Sequence, residues 1–138
     1  MIRRVLQIGR WKIKFFFAKD GYDEEEILDS LYDLDAPLYV MQRAYRIMES
    51  GRYNRGFTYP NTDTFEAVVV VGPTTSGRQF QNTFVHEIRH MANAIASKAG
   101  YELEAEEPSY ISGDAAMALA DVVCRLGCEH CRDNDQYT

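Results

Sequence analysis

Histidine is scarce in this chain: three in 138 residues, His86, His90 and His130. Cysteine is equally scarce, and Cys124, Cys128 and Cys131 all fall within the last fifteen positions. An odd, clustered set of thiols argues against the disulfide framework of a small secreted fold. Long apolar runs are missing too. A run such as Ala67–Val71 falls far short of the roughly 20 residues needed to cross a bilayer. Arg10 interrupts the opening stretch before it can resemble the apolar segment of a signal peptide. Internal repeats, low-complexity tracts and interdomain linkers are also lacking. These absences point to a cytoplasmic protein with no membrane partner.

What is present suits one compact domain. The hydrophobic content of 46% is ordinary for a globular chain, and a chain this long builds a single core. We expect that domain to span residues 1–132, with 133–138 as a disordered tail. The net charge of −6 argues against nucleic acid as the main partner. Positive charge gathers at the start, in Arg3, Arg4, Arg10, Lys12, Lys14 and Lys19, and the stretch Asp20–Asp35 follows with eight acids and no base. Two solvated faces of opposite sign account for this pattern.

Patterning predicts strands over Arg4–Ile8 and Trp11–Ala18, joined at Gly9-Arg10. Phe15, Phe16 and Phe17 break strict alternation, as a strand buried on both faces would. Asp23 and Glu26 form a capping box for a helix carrying Ile27, Leu28, Leu31 and Leu34. Pro37 opens a second helix, with apolar Val40, Met41, Ala44, Tyr45, Ile47 and Met48, that stops at Ser50-Gly51. Gly56–Tyr59 and Phe65–Val71 read as strands around the turn Pro60-Asn61-Thr62-Asp63. Ser76 and Gln79 cap a long helix that runs to Lys98 and ends at Gly100. A last helix runs from Glu106-Glu107-Pro108 to about Leu126.

The long helix holds the pattern with most chemical content, His86-Glu87-Ile88-Arg89-His90. Residues i and i+4 share a helix face, so both imidazoles can reach one metal ion. Glu87 then lies beside the ion, where a carboxylate polarises water instead of ligating. The histidines fall between two apolar stripes, Phe80, Phe84, Ile88, Met91, Ile95 and Val85, Ala92, Ala96, Ala99, so the metal face is expected to point into the protein.

Two histidines do not complete a catalytic zinc site, which takes three protein ligands and keeps one position open. Asn93 and Ala96 stand where a longer motif would have its glycine and third histidine, and no cysteine lies upstream of the helix. His130 is embedded among thiols. A downstream carboxylate remains, from Glu102, Glu104, Glu106, Glu107, Asp114 or Asp121. Glu106 begins a face of small residues, Ser109, Gly113, Ala116 and Ala120, that allows close helix approach, whereas Glu107 begins a bulkier one. The face argument favours Glu106, with Glu107 as the alternative.

Several segments together resemble small HExxH proteins of bacteriophages and mobile elements of gut bacteria, broadly gluzincin-like. They are Asn54–Tyr59, Val68–Gly72, Thr74–Ser76, Asn82–His90 and Glu106–Asp114. The resemblance covers roughly Asn54 to Cys131. It implies an α+β, minimal zincin-like domain: a small, mostly antiparallel sheet packed on the HExxH helix and on a second, glutamate-bearing helix. It also implies that Glu106 is the third zinc ligand.

The expected function is zinc-dependent hydrolysis of amide bonds in a protein or peptide. Zinc lowers the pKa of a bound water toward about 7, and Glu87 would act as general base. The alternative is a zinc-binding accessory or structural protein of a phage or mobile element that hydrolyses nothing. Strand Phe65–Val71 could offer an edge for an extended peptide. Tyr110, Tyr59, Arg78 and Arg89 are candidate donors to an oxyanion, and spacing does not choose among them. Asn82 and Asn93 could orient the imidazoles. Cys124, Cys128 and Cys131 form a second candidate group for a metal or for redox chemistry, Cys128 and Cys131 having chelating spacing.

Overall fold

The computed structural model describes residues 1–102 and 104–134. They form an α+β fold in the order β1 (Ile2–Ile8), β2 (Trp11–Phe17), α1 (Glu24–Asp33), α2 (Leu38–Glu49), β3 (Gly56–Asn61), β4 (Glu66–Val71), α3 (Gly77–Lys98), α4 (Glu107–Ala118), α5 (Ala120–Gly127) and α6 (Glu129–Asn134). The sheet order is β1-β2-β4-β3. The outer pairs β1–β2 and β3–β4 are antiparallel, and the central pair β2–β4 is parallel, with Phe15 opposite Val69 and Phe17 opposite Val71. The sheet is therefore mixed. The helices α1 and α2 occupy the crossover that a parallel pair requires. Among the described residues no helix is long and apolar enough to cross a membrane.

Helices cover both faces of this sheet. On one face Ile13, Phe15, Phe17, Ala67, Val69 and Val71 meet Phe80, Phe84, Ile88, Met91 and Ile95 of α3, together with Ala115, Leu119, Val122 and Leu126. On the other, Phe16, Phe57, Val68 and Val70 meet Ile27, Leu31 and Leu34, and Ala44 and Met48 of α2. Burial on two sides explains why β2 and β4 read as continuous apolar runs. The ring of Phe17 lies 6.0 Å from that of Phe15, 6.2 Å from Phe80 and 6.1 Å from Phe84, which ties the sheet to the first turns of α3.

Local signals set the boundaries. Asp23 accepts a hydrogen bond from the Glu26 amide (3.2 Å) and Ser76 from the Gln79 amide (3.1 Å), as N-caps do. The Glu26 side chain turns away from the cap to Arg3 (2.7 Å), and Arg4 holds Asp121 of α5 (2.9 Å). Two of the six N-terminal basic residues, Arg3 and Arg4, are thus shown engaged by acids of the helical layers. Gly9, at φ 56°, opens the β1–β2 turn in a conformation that L residues disfavour.

The C-terminal region departs from expectation in two ways. The last long helix bends at Leu119 and continues as α5, which brings Leu119, Val122 and Leu126 onto the sheet. Asp133 and Asn134, expected in a structureless tail, close helix α6, while residues 135–138 lie outside the described residues. That helix is anchored. The Glu129 carboxylate accepts the Gly77 amide (2.6 Å) at the positive end of α3, and Arg132 donates to the Thr74 carbonyl (2.8 Å) and the Leu126 carbonyl (2.9 Å). Gly77 must be a glycine, because a Cβ there would meet the Gly127 carbonyl oxygen at 2.5 Å.

Phe17→Ala is expected to lower unfolding free energy by about 3–5 kcal/mol, since the cavity would open between three other rings. Urea denaturation followed by circular dichroism measures it; a loss under about 1 kcal/mol would show that this cluster does not fasten α3 to the sheet.

Candidate functional site

The long helix α3 buries its Phe80–Ile95 stripe against the sheet and crosses strand β3 at Glu87. That carboxylate is only 3% exposed. The Thr58 hydroxyl donates to Glu87 Oε1 (3.0 Å) and lies 3.3 Å from the Glu87 carbonyl oxygen. Among the described residues Thr58 is the hydrogen-bond partner of this carboxylate, and His86 Nε2 stands 4.0 Å from Oε2. The helix comes this close because position 56 has no side chain: a Cβ there would fall 2.6 Å from the Val70 carbonyl oxygen and 2.9 Å from Glu87 Cγ.

The imidazoles behave differently. Sharing one helix face, His86 and His90 bring their Nε2 atoms within 3.1 Å, with the rings edge-on at 84° and centroids 4.7 Å apart. Both are exposed, the His86 side chain at 67%. The expectation that this face points into the protein is therefore corrected. The stripe from Phe80 to Ile95 faces the sheet, Glu87 turns beneath β3, and the histidines are left on the outer side. The second stripe is also divided, Ala92 and Ala96 being buried while Val85 and Ala99 are exposed.

A cleft of about 720 Å³ opens beside the motif. Its walls are Arg43, Arg46, Ile47 and Ser50 of α2 and the following turn, the loop residues Arg52, Asn54 and Arg55, Gly56 of β3, and Asn82, Thr83, His86 and Glu87 of α3. The helices α2 and α3 lie on opposite faces of the sheet, so a cleft lined by both passes around the Gly56 end of the edge strand between them, β3. The expected edge strand, Phe65–Val71, instead lies inside the sheet between β2 and β3. Two apolar runs with equal burial signals cannot be ordered from sequence, and here the buried one is central.

The remaining candidates divide among three places. Asn82 lines the cleft with the motif, whereas Arg89 and Asn93 line a separate groove of about 550 Å³ between α3 and α4. Ser109, Gly113 and Ala116, members of the small face expected to meet the metal helix, line that groove. Glu106 stands exposed at the start of α4, its carboxylate accepting the Tyr110 hydroxyl (2.9 Å), and Glu107 is the first residue of that helix. Among the described residues no group of three metal-ligating side chains forms, so Glu106 and the two imidazoles are not brought together. Tyr59 points with Phe57 to the α1–α2 side of the sheet, away from Glu87. Arg78 is exposed on the first turn of α3.

No protein-family model, curated protein or solved structure matches this chain. The site is therefore read from its own geometry. Thr58, Gly56 and the cleft arginines were not singled out in the sequence. The spacing of Arg43 and Arg46, one turn apart on α2, was the available signal, but nothing local says that α2 faces α3.

The three thiols are free and gathered where α5 meets α6. The sulfurs of Cys124 and Cys131 are 3.9 Å apart. Hydrogen bonds from the Cys131 backbone and side chain hold the Cys128 thiol below its usual range, while hydrogen bonding with Cys128 and Cys124 pushes Cys131 up to about 11. The two sulfurs should differ in reactivity, because the thiolate is the nucleophile.

Two outcomes follow from these geometries. Gly56→Ala is expected to cost about 1–3 kcal/mol through overpacking against Val70 and Glu87, read by urea denaturation; full stability would mean that β3 and α3 are not in contact at this point. At neutral pH iodoacetamide should label Cys128 before Cys131, as judged by peptide mass spectrometry after brief exposure. Equal labelling would contradict the asymmetry.

Proposed function

We propose that this protein is a zinc-dependent hydrolase of amide bonds in a peptide or protein, with His86 and His90 as metal ligands and Glu87 as general base. The supporting observation is the 3.1 Å separation of the two Nε2 atoms beside a buried carboxylate. Two nitrogens in one tetrahedral zinc shell, each at about 2.0–2.1 Å, lie about 3.3 Å apart, so the pair fits a shared ion with little adjustment. Bound zinc would supply a Lewis acid that makes water a nucleophile at neutral pH.

The residues around it have defined tasks in this reading. Glu87 accepts the proton of the attacking water and delivers it to the departing nitrogen. The Thr58 hydroxyl holds Glu87 Oε1, which leaves Oε2 on the side of His86. Glu106 is the proposed third ligand. In support, α4 begins at this residue and runs beside α3, with a groove lined by Ser109, Gly113 and Ala116 between them. The Tyr110 hydroxyl would then orient that carboxylate, as outer partners of metal ligands do. Cytoplasmic residence accords with three free thiols, which a reducing compartment preserves.

A second reading, a zinc-binding accessory protein without hydrolytic activity, is favoured by the exposure of the histidines and by the separation of Glu106 from them. One experiment decides between the two. Protein purified without an affinity tag is expected to carry zinc, Glu106→Ala to lose it, and Glu87→Gln to keep it while peptide hydrolysis falls by about 10²–10⁴-fold. Zinc retained in Glu106→Ala would remove the proposed third ligand. Zinc binding without hydrolysis in the wild type would select the accessory reading.

A further inference from the structure

Four arginines stand around the cleft in front of the motif, yet the chain as a whole is acidic. Arg43 and Arg46 project from successive turns of α2, and Arg52 and Arg55 from the loop that leads into β3. All four are exposed, and among the described residues none of their guanidinium groups has an ion-pair or hydrogen-bond partner. The one carboxylate in the wall is Glu87. Elsewhere basic side chains near acids are engaged, as with Arg3 on Glu26 and Asp23 and Arg4 on Asp121. A cleft with concentrated positive charge in a protein of net charge −6 focuses its field on an anionic ligand.

The loop that carries two of the arginines is held in place. Asn54 adopts φ 63°, a conformation asparagine tolerates better than most residues. Its Oδ1 accepts the Thr75 amide (3.0 Å), its Nδ2 donates to the Thr75 hydroxyl (3.2 Å), and its own amide donates to the Pro73 carbonyl (2.8 Å). Arg55 accepts the Gly72 amide (2.8 Å) through its carbonyl. Contacts to the segment before α3 thus fix where Arg55 leaves the chain, and the Arg52 amide is held by the Ser50 hydroxyl (3.2 Å), while both guanidinium groups stay available.

We propose that the cleft binds an acidic segment of polypeptide, with Arg43, Arg46, Arg52 and Arg55 receiving Asp and Glu carboxylates on either side of the amide that faces His86 and Glu87. The planar guanidinium fork matches a carboxylate in bidentate fashion. The cleft passes around the Gly56 end of edge strand β3, whose outer side has no strand partner among the described residues. An extended peptide can lie along such an edge and direct alternate side chains to the α2 and α3 walls. Single-stranded nucleic acid is the less suitable anion, because no Phe, Tyr or Trp lines the cleft as a broad platform for bases to stack on. This inference names the substrate class of the proposed hydrolase and rests on that reading for the reaction, but not for the binding.

The test measures binding without turnover, on the Glu87→Gln full-length protein, by fluorescence anisotropy. Three labelled probes are compared: a short peptide rich in Asp and Glu, its Lys-rich counterpart, and a short oligothymidylate. The acidic peptide should bind at least about tenfold more tightly than either of the others, with affinity falling as salt rises. The double variant Arg43→Glu, Arg46→Glu should lose about tenfold or more, and Arg52→Glu, Arg55→Glu likewise. Lys98→Glu, an exposed site at the C-terminal end of α3 far from the cleft, supplies the control and should change affinity less than about twofold. Circular dichroism checks that each variant is folded, and the loop pair carries the result if α2 does not tolerate its own. The proposal is overturned if the acidic peptide shows no preference over the basic one, if the oligonucleotide binds more tightly, or if Lys98→Glu weakens binding as much as the cleft variants. A failure of hydrolysis in the wild type with acidic selectivity intact would overturn the enzymatic reading and leave the binding site standing.

Discussion

The contact between α3 and the Gly56 end of β3 governs the arrangement of everything chemical in this protein. A helix can bring a carboxylate under a sheet edge only where the strand presents no side chain in its path, and Gly56 provides that gap. Burying a carboxylate with one hydroxyl partner costs free energy that an apolar residue would not. The aromatic cluster of Phe17, Phe80 and Phe84 offsets it by fastening the same helix to the sheet nearby. Once α3 is set at this depth, its helical pitch alone decides that His86 and His90 emerge on the outer side, next to the edge strand and opposite α2.

The C-terminal segment serves the same constraint from the other end of the helix. Glu129 and Arg132 bind the backbone around the start of α3, and Gln81 donates to the Gly127 carbonyl (2.9 Å). A helix as short as α6 has little stability of its own, so these contacts to α3 hold it in place as much as it holds them. The three thiols come together at this junction as neighbours of a structural clamp. Their grouping is a consequence of the α5–α6 turn, and the unequal acidities of Cys128 and Cys131 follow from Cys128 meeting the backbone amides of that turn while Cys131 shares hydrogen bonds with the other sulfurs.

Much of this was legible from residue order, and the reasons are local. Asp23 and Ser76 announce their helices because a side-chain oxygen near a free amide is a short-range matter. The three consecutive phenylalanines of β2 reveal burial on two faces because a strand alternates its sides. Helix α4 does lie beside α3, but not through its small face: Ser109 and Gly113 are exposed along an open groove, and Pro108 and Ala115 are buried instead. What could not be read is non-local. Neither the interior position of β4 nor the parallel β2–β4 pair follows from composition, since β4 and an edge strand of the same residues read alike. The orientation of the histidines was misjudged because two apolar stripes on α3 were given equal weight, whereas Val85 is exposed and the Phe80 stripe alone runs continuously into the core. Nothing local distinguishes Arg43 and Arg46 from other helical arginines, and only the crossover that brings α2 to the opposite side of β3 makes them walls of a cleft.

The opposite treatment of the carboxylate and the imidazoles has a physical logic under the proposed chemistry. A metal ion arrives from solvent with its own hydration shell, so its first ligands must be reachable, and exposed nitrogens at the correct separation meet that requirement. A general base has the reverse need. It must accept a proton from one particular direction and avoid engagement by the surrounding cations. Glu87 has four arginines in the same cleft wall, and an exposed carboxylate there would form ion pairs with them. Burial beneath Gly56, with Thr58 holding one oxygen, keeps that carboxylate out of their reach and leaves their charges free for a ligand. The glycine that lets the helix approach thereby separates the two proposed functions of the cleft, anion recognition at its rim and proton transfer at its floor.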